Sequence, residues 1–211
     1  MPHELIRPVD PDSAHAIEET AKTAAKAIDA AVQAGKYAGE VLGDLPHDLV
    51  GIMGDWIKHK RARRWAELSP DTEKILLDRG VKNREDVSPS VAIPLIAGAI
   101  NEDRDVLKQL WAKLLANAMD QSRANRVRGD FIAAARKMEP LDATVLTCVH
   151  TRRGNADGEA RNAIAVELSV TRDEVDVSVA NLIKLELLML TNPPNSVMSS
   201  FGREFLRAIE D

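Results

Sequence analysis

The chain has 211 residues, enough for one or two domains with a sizeable apolar core, and its formal net charge is −5. This charge excludes a global positive field that would draw the whole chain to nucleic acid or anionic lipid. Hydrophobic residues make up 45% of the chain and aromatic residues only 3%. Such a composition, rich in Ala and Leu, predicts a mostly helical protein. The single Cys148 excludes an internal disulfide framework and is typical of a reducing compartment.

The beginning of the chain bears on its location. It has neither the basic region nor the apolar stretch of a secretory signal. The most apolar span near it, residues 38–57, contains four acidic residues and lacks the roughly 20 apolar residues that a spanning helix needs. We therefore expect a cytoplasmic protein, with a peripheral position at the inner face of the membrane as the alternative.

The first predicted helix begins near Asp12 or Ser13 and carries three glycines, Gly35, Gly39 and Gly43, at strict four-residue spacing. On a helix this spacing forms a smooth ridge against which another helix can pack closely. Glycine costs about 1 kcal/mol in a helix interior, so three in register indicate a packing purpose. We interpret the ridge as a contact within the chain or between two copies. A frayed helix end and, against the flanking charges, a membrane contact are the alternatives.

A basic cluster follows the next predicted segment, which starts at Pro46. Residues 1–57 contain ten acidic and four basic residues, whereas residues 58–64 contain five bases. An apolar stretch beside such a cluster is typical of an interfacial membrane helix, and the same charges suit nucleic-acid phosphate. The simplest alternative is a solvated face that pairs with the acidic first helix. The candidate anion, membrane or partner surface consists of Trp56, Lys58, Lys60, Arg61, Arg63 and Arg64.

We divide the chain into an N-terminal helical region at 1–66, a central helical core at 67–138 and a C-terminal module at 139–211. In the core, a short helix is expected to open at Ser69-Pro70-Asp71-Thr72. The strongest pattern lies at residues 101–120, where apolar residues recur at i, i+3, i+4, i+7 and i+8, the spacing of a helix with one buried face. Asn101 or Asp103 is expected to cap this helix. Its stripe consists of Leu107, Leu110, Trp111, Leu114, Leu115, Ala118 and Met119.

The C-terminal module contains three predicted helices, a β-hairpin around residues 192–195 and a closing helix. Asp157 caps the second helix, and Thr171 with Glu174 forms a capping box that opens the third. This order predicts a winged helix-turn-helix. The predicted fold class is therefore all-α with a C-terminal winged helix-turn-helix module that contains one small β-hairpin.

The charge of this module argues against DNA reading. Its third helix with the following turn, residues 172–186, carries two bases and four acids, and the hairpin has no base. A helix in the major groove presents Arg, Lys, Asn or Gln outward, between rows of phosphate. Only Asn181 suits base reading, and it lies close to the predicted buried face. We interpret the module as a protein-interaction or packing domain, and DNA binding remains the alternative if Arg152 and Arg153 frame its surface.

The sequence offers no catalytic or metal-binding constellation. Cys148 and His150 lie two residues apart on a predicted helix, so their side chains diverge by roughly 200°, and no second ligand pair accompanies them. There is no Walker-type loop and no dinucleotide fingerprint. We expect no enzymatic activity, no cofactor and no metal, and we identify no small-molecule substrate. An enzyme whose site is assembled from scattered residues is a third alternative.

Five segments of the chain resemble the bacterial Abi-alpha family, which is named for abortive infection and is largely of unknown biochemistry. They are SPSVAIPLIAGAI at 88–100, LKQLWAKLLANAMD at 107–120, FIAAARKMEPLDATVL at 131–146, NLIKLELLMLT at 181–191 and FGREFLRAI at 201–209. The family usually has a glycine where this chain has Glu186. The resemblance covers roughly residues 50–211 and brings no catalytic residues.

The resemblance implies a bacterial cytoplasmic protein associated with phage defence. We expect a non-enzymatic interaction protein that contacts a protein partner, another copy of itself or the membrane surface. A nucleic-acid-binding regulator that uses the winged helix or the basic cluster is the alternative.

Overall fold

The structure is a computed structural model that describes residues 60–82, 84, 87–192 and 195–210, and their side chains from Leu68 onward except those of Ser69 and Pro89. This part of the chain is mostly helical, as predicted, with one small antiparallel hairpin. The helices are α1 (Lys60–Asp78), α2 (Pro89–Asn101), α3 (Asp105–Met119), α4 (Gly129–Ala135), α5 (Pro140–Thr151), α6 (Gly158–Leu168), α7 (Arg172–Lys184) and α8 (Ser200–Arg207), and the strands are β1 (Leu188–Leu190) and β2 (Ser196–Met198).

The helix α3 lies at the centre of the core and contacts α1, α2, α4 and α5. The whole predicted stripe is buried, and so are Ala112, Ala116 and Asn117 on the flanks of that stripe. A helix that buries nearly all of its last three turns must be surrounded by other helices. The central position expected for residues 101–120 is therefore confirmed.

Trp111 on α3 packs directly against the backbone of α2 at Gly98. A Cβ atom placed on Gly98 would lie 2.2 Å from Cη2 of the Trp111 ring, far inside van der Waals contact. The ring therefore occupies the space that any other residue at position 98 would fill. The two helices approach this closely because position 98 has no side chain.

Two local expectations in the core are wrong. The short helix predicted to open at Ser69 is the second half of α1, which continues through Pro70. Proline removes one backbone hydrogen bond from a helix interior, but Leu68, Thr72 and Leu76 lie one turn apart on a buried face that keeps the helix on the core.

The division into three regions is not decided by these observations and stays a prediction.

The predicted caps of α3 are also wrong. Arg104 occupies the N-cap position, and no side chain caps the helix there. The carboxylate of Glu102 instead binds the segment just before α3, since it accepts the backbone N–H groups of Asp103 at 3.1 Å and Arg104 at 3.0 Å. It also accepts a hydrogen bond from Nε of Arg104 at 2.8 Å. Burial opposes ionisation of Glu102, but the hydrogen bonds from Arg104 and Asp103 outweigh it and hold the pKa of this carboxyl below its ordinary value of 4.5.

The C-terminal elements follow the predicted order. Asp157 caps α6 by accepting N–H of Ala160 at 2.8 Å, and the Thr171–Glu174 capping box opens α7. The hairpin pairs Met189 with Val197 in antiparallel register. The sequence did not foresee that Val197 also forms a bridge to Asn155 on its other side. Asn155 thus pairs with the edge of β2 that does not face β1.

Glu186 adopts a left-handed conformation, with φ of 62°, in the turn between α7 and β1. At this position the Abi-alpha family, which the chain resembles, usually has a glycine, and glycine takes such a φ without strain. A residue with a Cβ pays about 1–2 kcal/mol for the same conformation. The turn into the hairpin therefore keeps the geometry that a glycine would favour, at a cost in backbone energy.

Replacing Gly98 with alanine is expected to lower the free energy of unfolding by about 1–3 kcal/mol, because the new methyl group overlaps the Trp111 ring. Chemical denaturation followed by circular dichroism measures this change. The control is Gly129→Ala in the first turn of α4, where a Cβ would meet no atom within 4 Å. Equal effects of the two substitutions would contradict the close approach of α2 and α3.

Replacing Glu186 with glycine is expected to raise the free energy of unfolding by about 1 kcal/mol, because it relieves the left-handed strain. Lys184→Gly, two residues earlier at the exposed end of α7, should instead lower it by about 1 kcal/mol. Thermal melts of both variants test the opposite signs. A loss of stability in both would show that the Glu186 backbone is not strained.

Candidate functional site: the outer face of helix α7

The inner face of α7 is packed against α5 and α6. Val175, Val179 and Leu182 are buried and Ile183 is partly buried, as the spacing of these residues predicted. The burial of this face fixes which side of α7 is left to solvent.

A buried carboxylate holds two polar side chains of α7 inward. Asp142 on α5 accepts hydrogen bonds from Oγ of Ser178 at 2.7 Å and from Nδ2 of Asn181 at 2.6 Å. Its second role is to cap its own helix by accepting N–H of Glu139 at 2.8 Å. Asn181, the residue of α7 that the sequence singled out for base reading, is therefore engaged by Asp142.

Two arginines meet at one carboxylate between α6 and α7. Asp176 accepts hydrogen bonds from Nη1 of Arg161 and from Nε of Arg172, each at 3.0 Å. Arg161 is almost fully buried and also donates to the carbonyl of Ala156 at 2.8 Å and to Oγ of Ser196 at 2.9 Å. This one guanidinium thus joins α6, α7 and β2.

Burial opposes the ionised form of Asp176, but the hydrogen bonds and positive charges of Arg172 and Arg161 outweigh it. They hold the pKa of Asp176 below its ordinary value of 3.8. Because Arg172 is turned toward Asp176 and α6, the base exposed on α7 is Lys184.

The solvent side of α7 is acidic and apolar. We define the α7 outer face as Asp173, Glu174, Val177, Ala180 and Lys184, which are all exposed. Val177 exposes 72% of its surface. Six large apolar side chains are exposed among the described residues, and Val177 is the one that lies on α7.

Cys148 and His150 lie apart, as their spacing predicted. Cys148 is buried on α5, with its Sγ 3.7 Å from the carboxylate of Glu167. Burial, together with the Glu167 charge, raises the pKa of this thiol, as is typical of an unreactive cysteine. The His150 ring lies on the surface, 3.4 Å from the carboxylate of Glu210.

Arg152 and Arg153 were the bases proposed to frame a DNA-binding surface. Arg152 is engaged, because it forms an ion pair with Glu167 and donates to the carbonyl of Cys148. Arg153 is exposed. Only one of the two is thus available to a ligand.

The predicted basic cluster is only partly within the described residues. The backbone of Lys60, Arg61, Arg63 and Arg64 lies at the start of α1, and their side chains are outside the described part. Trp56 and Lys58 are outside it altogether, as is the glycine ridge of Gly35, Gly39 and Gly43. The anion surface and the ridge therefore stay predictions.

Arg161 is the residue of this region that sequence reasoning missed. Arg161 is the first residue of a helical i, i+3, i+4, i+7 pattern that continues with Ile164, Ala165 and Leu168. It therefore lies on the inward face of α6. A charged residue inside an apolar stripe signals a buried polar contact, since an unpaired charge would be too costly there. That signal was present in the sequence.

Among the described residues, no group of three or more His, Cys, Asp or Glu side chains is arranged to hold a metal ion. None of the helices in this part is both long and apolar enough to cross a membrane.

The fold and this surface define a helical protein whose C-terminal module presents an acidic and apolar helix face. The family model of Abortive infection alpha matches residues 60–198, about two thirds of the chain. The chain therefore belongs to the Abortive infection alpha family, and the name of that family indicates a context of phage defence. No curated protein and no solved structure matches the chain significantly.

Replacing Asp176 with asparagine is expected to lower the free energy of unfolding at neutral pH by about 1 kcal/mol, since solvent screens this partly exposed carboxylate. The pKa of Asp176 is depressed, so its contribution is complete above its ordinary value of 3.8 and is lost as the pH falls through the folded-state value. The difference between wild type and D176N should therefore shrink in acid.

Urea denaturation between neutral and acidic pH measures this difference. The matched control is Asp173→Asn, which removes the same charge from an exposed position one turn earlier on α7. A stability difference for D176N that stays constant with pH would refute the account of Asp176.

Proposed function

We propose that this protein is a non-enzymatic interaction protein of abortive infection, and that its C-terminal module is a winged helix-turn-helix used to bind a protein partner. The observation that carries the proposal is the α7 outer face, which is acidic and apolar and retains a single base. We place the protein in the cytoplasm.

The arrangement of backbone elements supports the winged-helix interpretation. Three residues, Ser169 to Thr171, connect α6 to α7, as is typical of a helix-turn-helix. Val197 of β2 pairs with Met189 on one side and with Asn155 on the other. The hairpin thus receives a third backbone partner from the segment between α5 and α6, which supports the interpretation of the hairpin as the wing.

The chemistry of the surface favours protein over DNA. Phosphate contacts supply most of the affinity of a DNA-binding helix, and they require arginines and lysines directed outward. On α7 the guanidinium of Arg172 and the amide of Asn181 are used internally, while Asp173 and Glu174 are exposed. Exposed apolar groups such as Val177 gain free energy when a partner covers them. The partner that suits this face is a protein with basic and apolar side chains.

The basic cluster at Trp56 and Lys58–Arg64 provides a second candidate contact, with a membrane surface or with another copy of the protein. Co-sedimentation with anionic liposomes tests the first of these possibilities. Salt-sensitive binding that is lost when Lys60, Arg61, Arg63 and Arg64 are changed to Glu supports a membrane contact, because salt screens the attraction between basic side chains and anionic lipid.

In cells challenged with phage, the wild-type chain is expected to protect the culture at low phage dose, and the culture is expected to collapse at high dose. Val177→Lys should abolish the protection, because a charged side chain at the centre of the α7 outer face prevents its burial against a partner. Plaque counts and culture survival are the measurements. The control is Leu77→Lys, the same kind of change at a side chain of α1 that is 70% exposed.

Circular dichroism spectra of both variants are needed to check that each one folds. Protection that survives Val177→Lys would remove the α7 outer face from the mechanism. Salt-sensitive retention of duplex DNA by the purified protein would instead favour the nucleic-acid-binding regulator.

A further inference from the structure

A basic pocket lies where the end of α5, the strand β2 and the start of α8 meet. Its volume is about 300 Å³, at the lower limit of small-molecule sites. Three of the lining residues are basic and none is acidic. The lining consists of His150, Arg153, Gly154, Val197, Met198 and Arg203.

Arg153 is held at the pocket in an unusual backbone conformation. Its φ is 57°, in the left-handed region, and the next residue, Gly154, also has a positive φ of 79°. Such strain in a non-glycine residue costs about 1–2 kcal/mol and tends to occur at functional sites. The exposed Arg153 side chain makes no hydrogen bond and no ion pair with any residue that the structure describes. Its guanidinium charge is therefore available to a ligand.

Arg203 is held in place from the other side of the pocket. Its Nη1 donates to the carbonyl of Met198 at 2.9 Å, and its Nη2 donates to Oγ of Ser200 at 3.0 Å. These two bonds use two of the five N–H donors of the guanidinium and orient the rest of the group. A preoriented arginine loses less freedom when it binds an anion.

His150 supplies the third basic group. Its Nε2 lies 3.4 Å from Oε1 of Glu210, a carboxylate that does not line the pocket. Both groups are about half exposed, so this contact is weak. An anion in the pocket would compete with Glu210 for the same imidazole.

We propose that this pocket binds the phosphate group of a small phosphorylated ligand. Arg153 can donate two parallel hydrogen bonds to phosphate oxygens, the strong geometry for this pair of groups, and Arg203 keeps three N–H donors for the same anion. Val197 and Met198 offer apolar surface to the rest of the ligand. The site uses no residue of the α7 outer face, so its test is independent of the partner proposed above.

The full chain is titrated with inorganic phosphate, pyrophosphate and adenosine monophosphate, with binding followed by calorimetry and by amide chemical shifts in NMR spectra. Saturable binding of at least one probe is expected. Arg153→Asn should weaken it by at least about tenfold, since the loss of even one charge-assisted hydrogen bond is worth that factor. Asparagine tolerates the left-handed conformation, so this variant should fold. Arg203→Gln is a second variant with the same expected direction.

Two further variants test whether the effect is specific to the pocket and whether Glu210 competes with the anion. Arg207→Gln removes the same charge from α8 outside the pocket, where Arg207 pairs with Glu204, and should leave affinity unchanged. Glu210→Gln removes the competing carboxylate and should strengthen binding about twofold to threefold. Equal affinity for phosphate and the nucleotide assigns the site to phosphate alone, and tighter nucleotide binding assigns it to a nucleotide.

Three results would overturn the proposal. One is the absence of saturable binding for all three probes. Another is an equal loss in Arg153→Asn and Arg207→Gln, which would reduce the effect to general surface charge. The third is tighter binding of duplex DNA with the same dependence on Arg153, which would make the pocket part of a nucleic-acid surface.

Discussion

A single buried amide holds the C-terminal end of the protein on its central helices. Asn117 is fully buried in α3, where an unpaired amide would cost several kcal/mol. Its Nδ2 donates to the carbonyl of Ala208 at 2.8 Å, and its Oδ1 accepts from Nη1 of Arg79 at 2.7 Å. Arg79 and Arg123 also donate to the carbonyl of Glu210. The fold thus satisfies a polar group in its core by fixing the end of α8 against α1 and α3.

The same requirement shapes the surface of the C-terminal module. Arg161 lies in the buried stripe of α6, so its guanidinium needs partners, and it finds them on α7, on β2 and in the backbone at Ala156. Asp176 and Arg172 are drawn into this network. Because these groups are used internally, the exposed side of α7 is acidic and apolar, and the proposal of a protein partner in place of DNA rests on this surface.

Two neighbouring arginines, Arg152 and Arg153, differ in whether the fold supplies an acidic partner for them. Arg152 is used by Glu167, whereas its neighbour Arg153 projects from a strained turn toward the pocket at β2. Two adjacent arginines therefore differ in their surroundings, since one is paired within the fold and the other lines a pocket. The distinction matters for function, because a charge count along the chain treats the two arginines as equal.

The sequence by itself determined most of the elements and the centre of the core. The stripe of α3, the caps at Asp157 and Thr171 and the hairpin depend on contacts within a few residues, and periodicity and capping patterns record such contacts. The tertiary structure decided the continuation of α1 through Pro70, the bridge from Asn155 to Val197 and the engagement of Arg161 with Ser196. These features join residues far apart in the chain, or depend on packing against other helices, and no local pattern encodes that pairing.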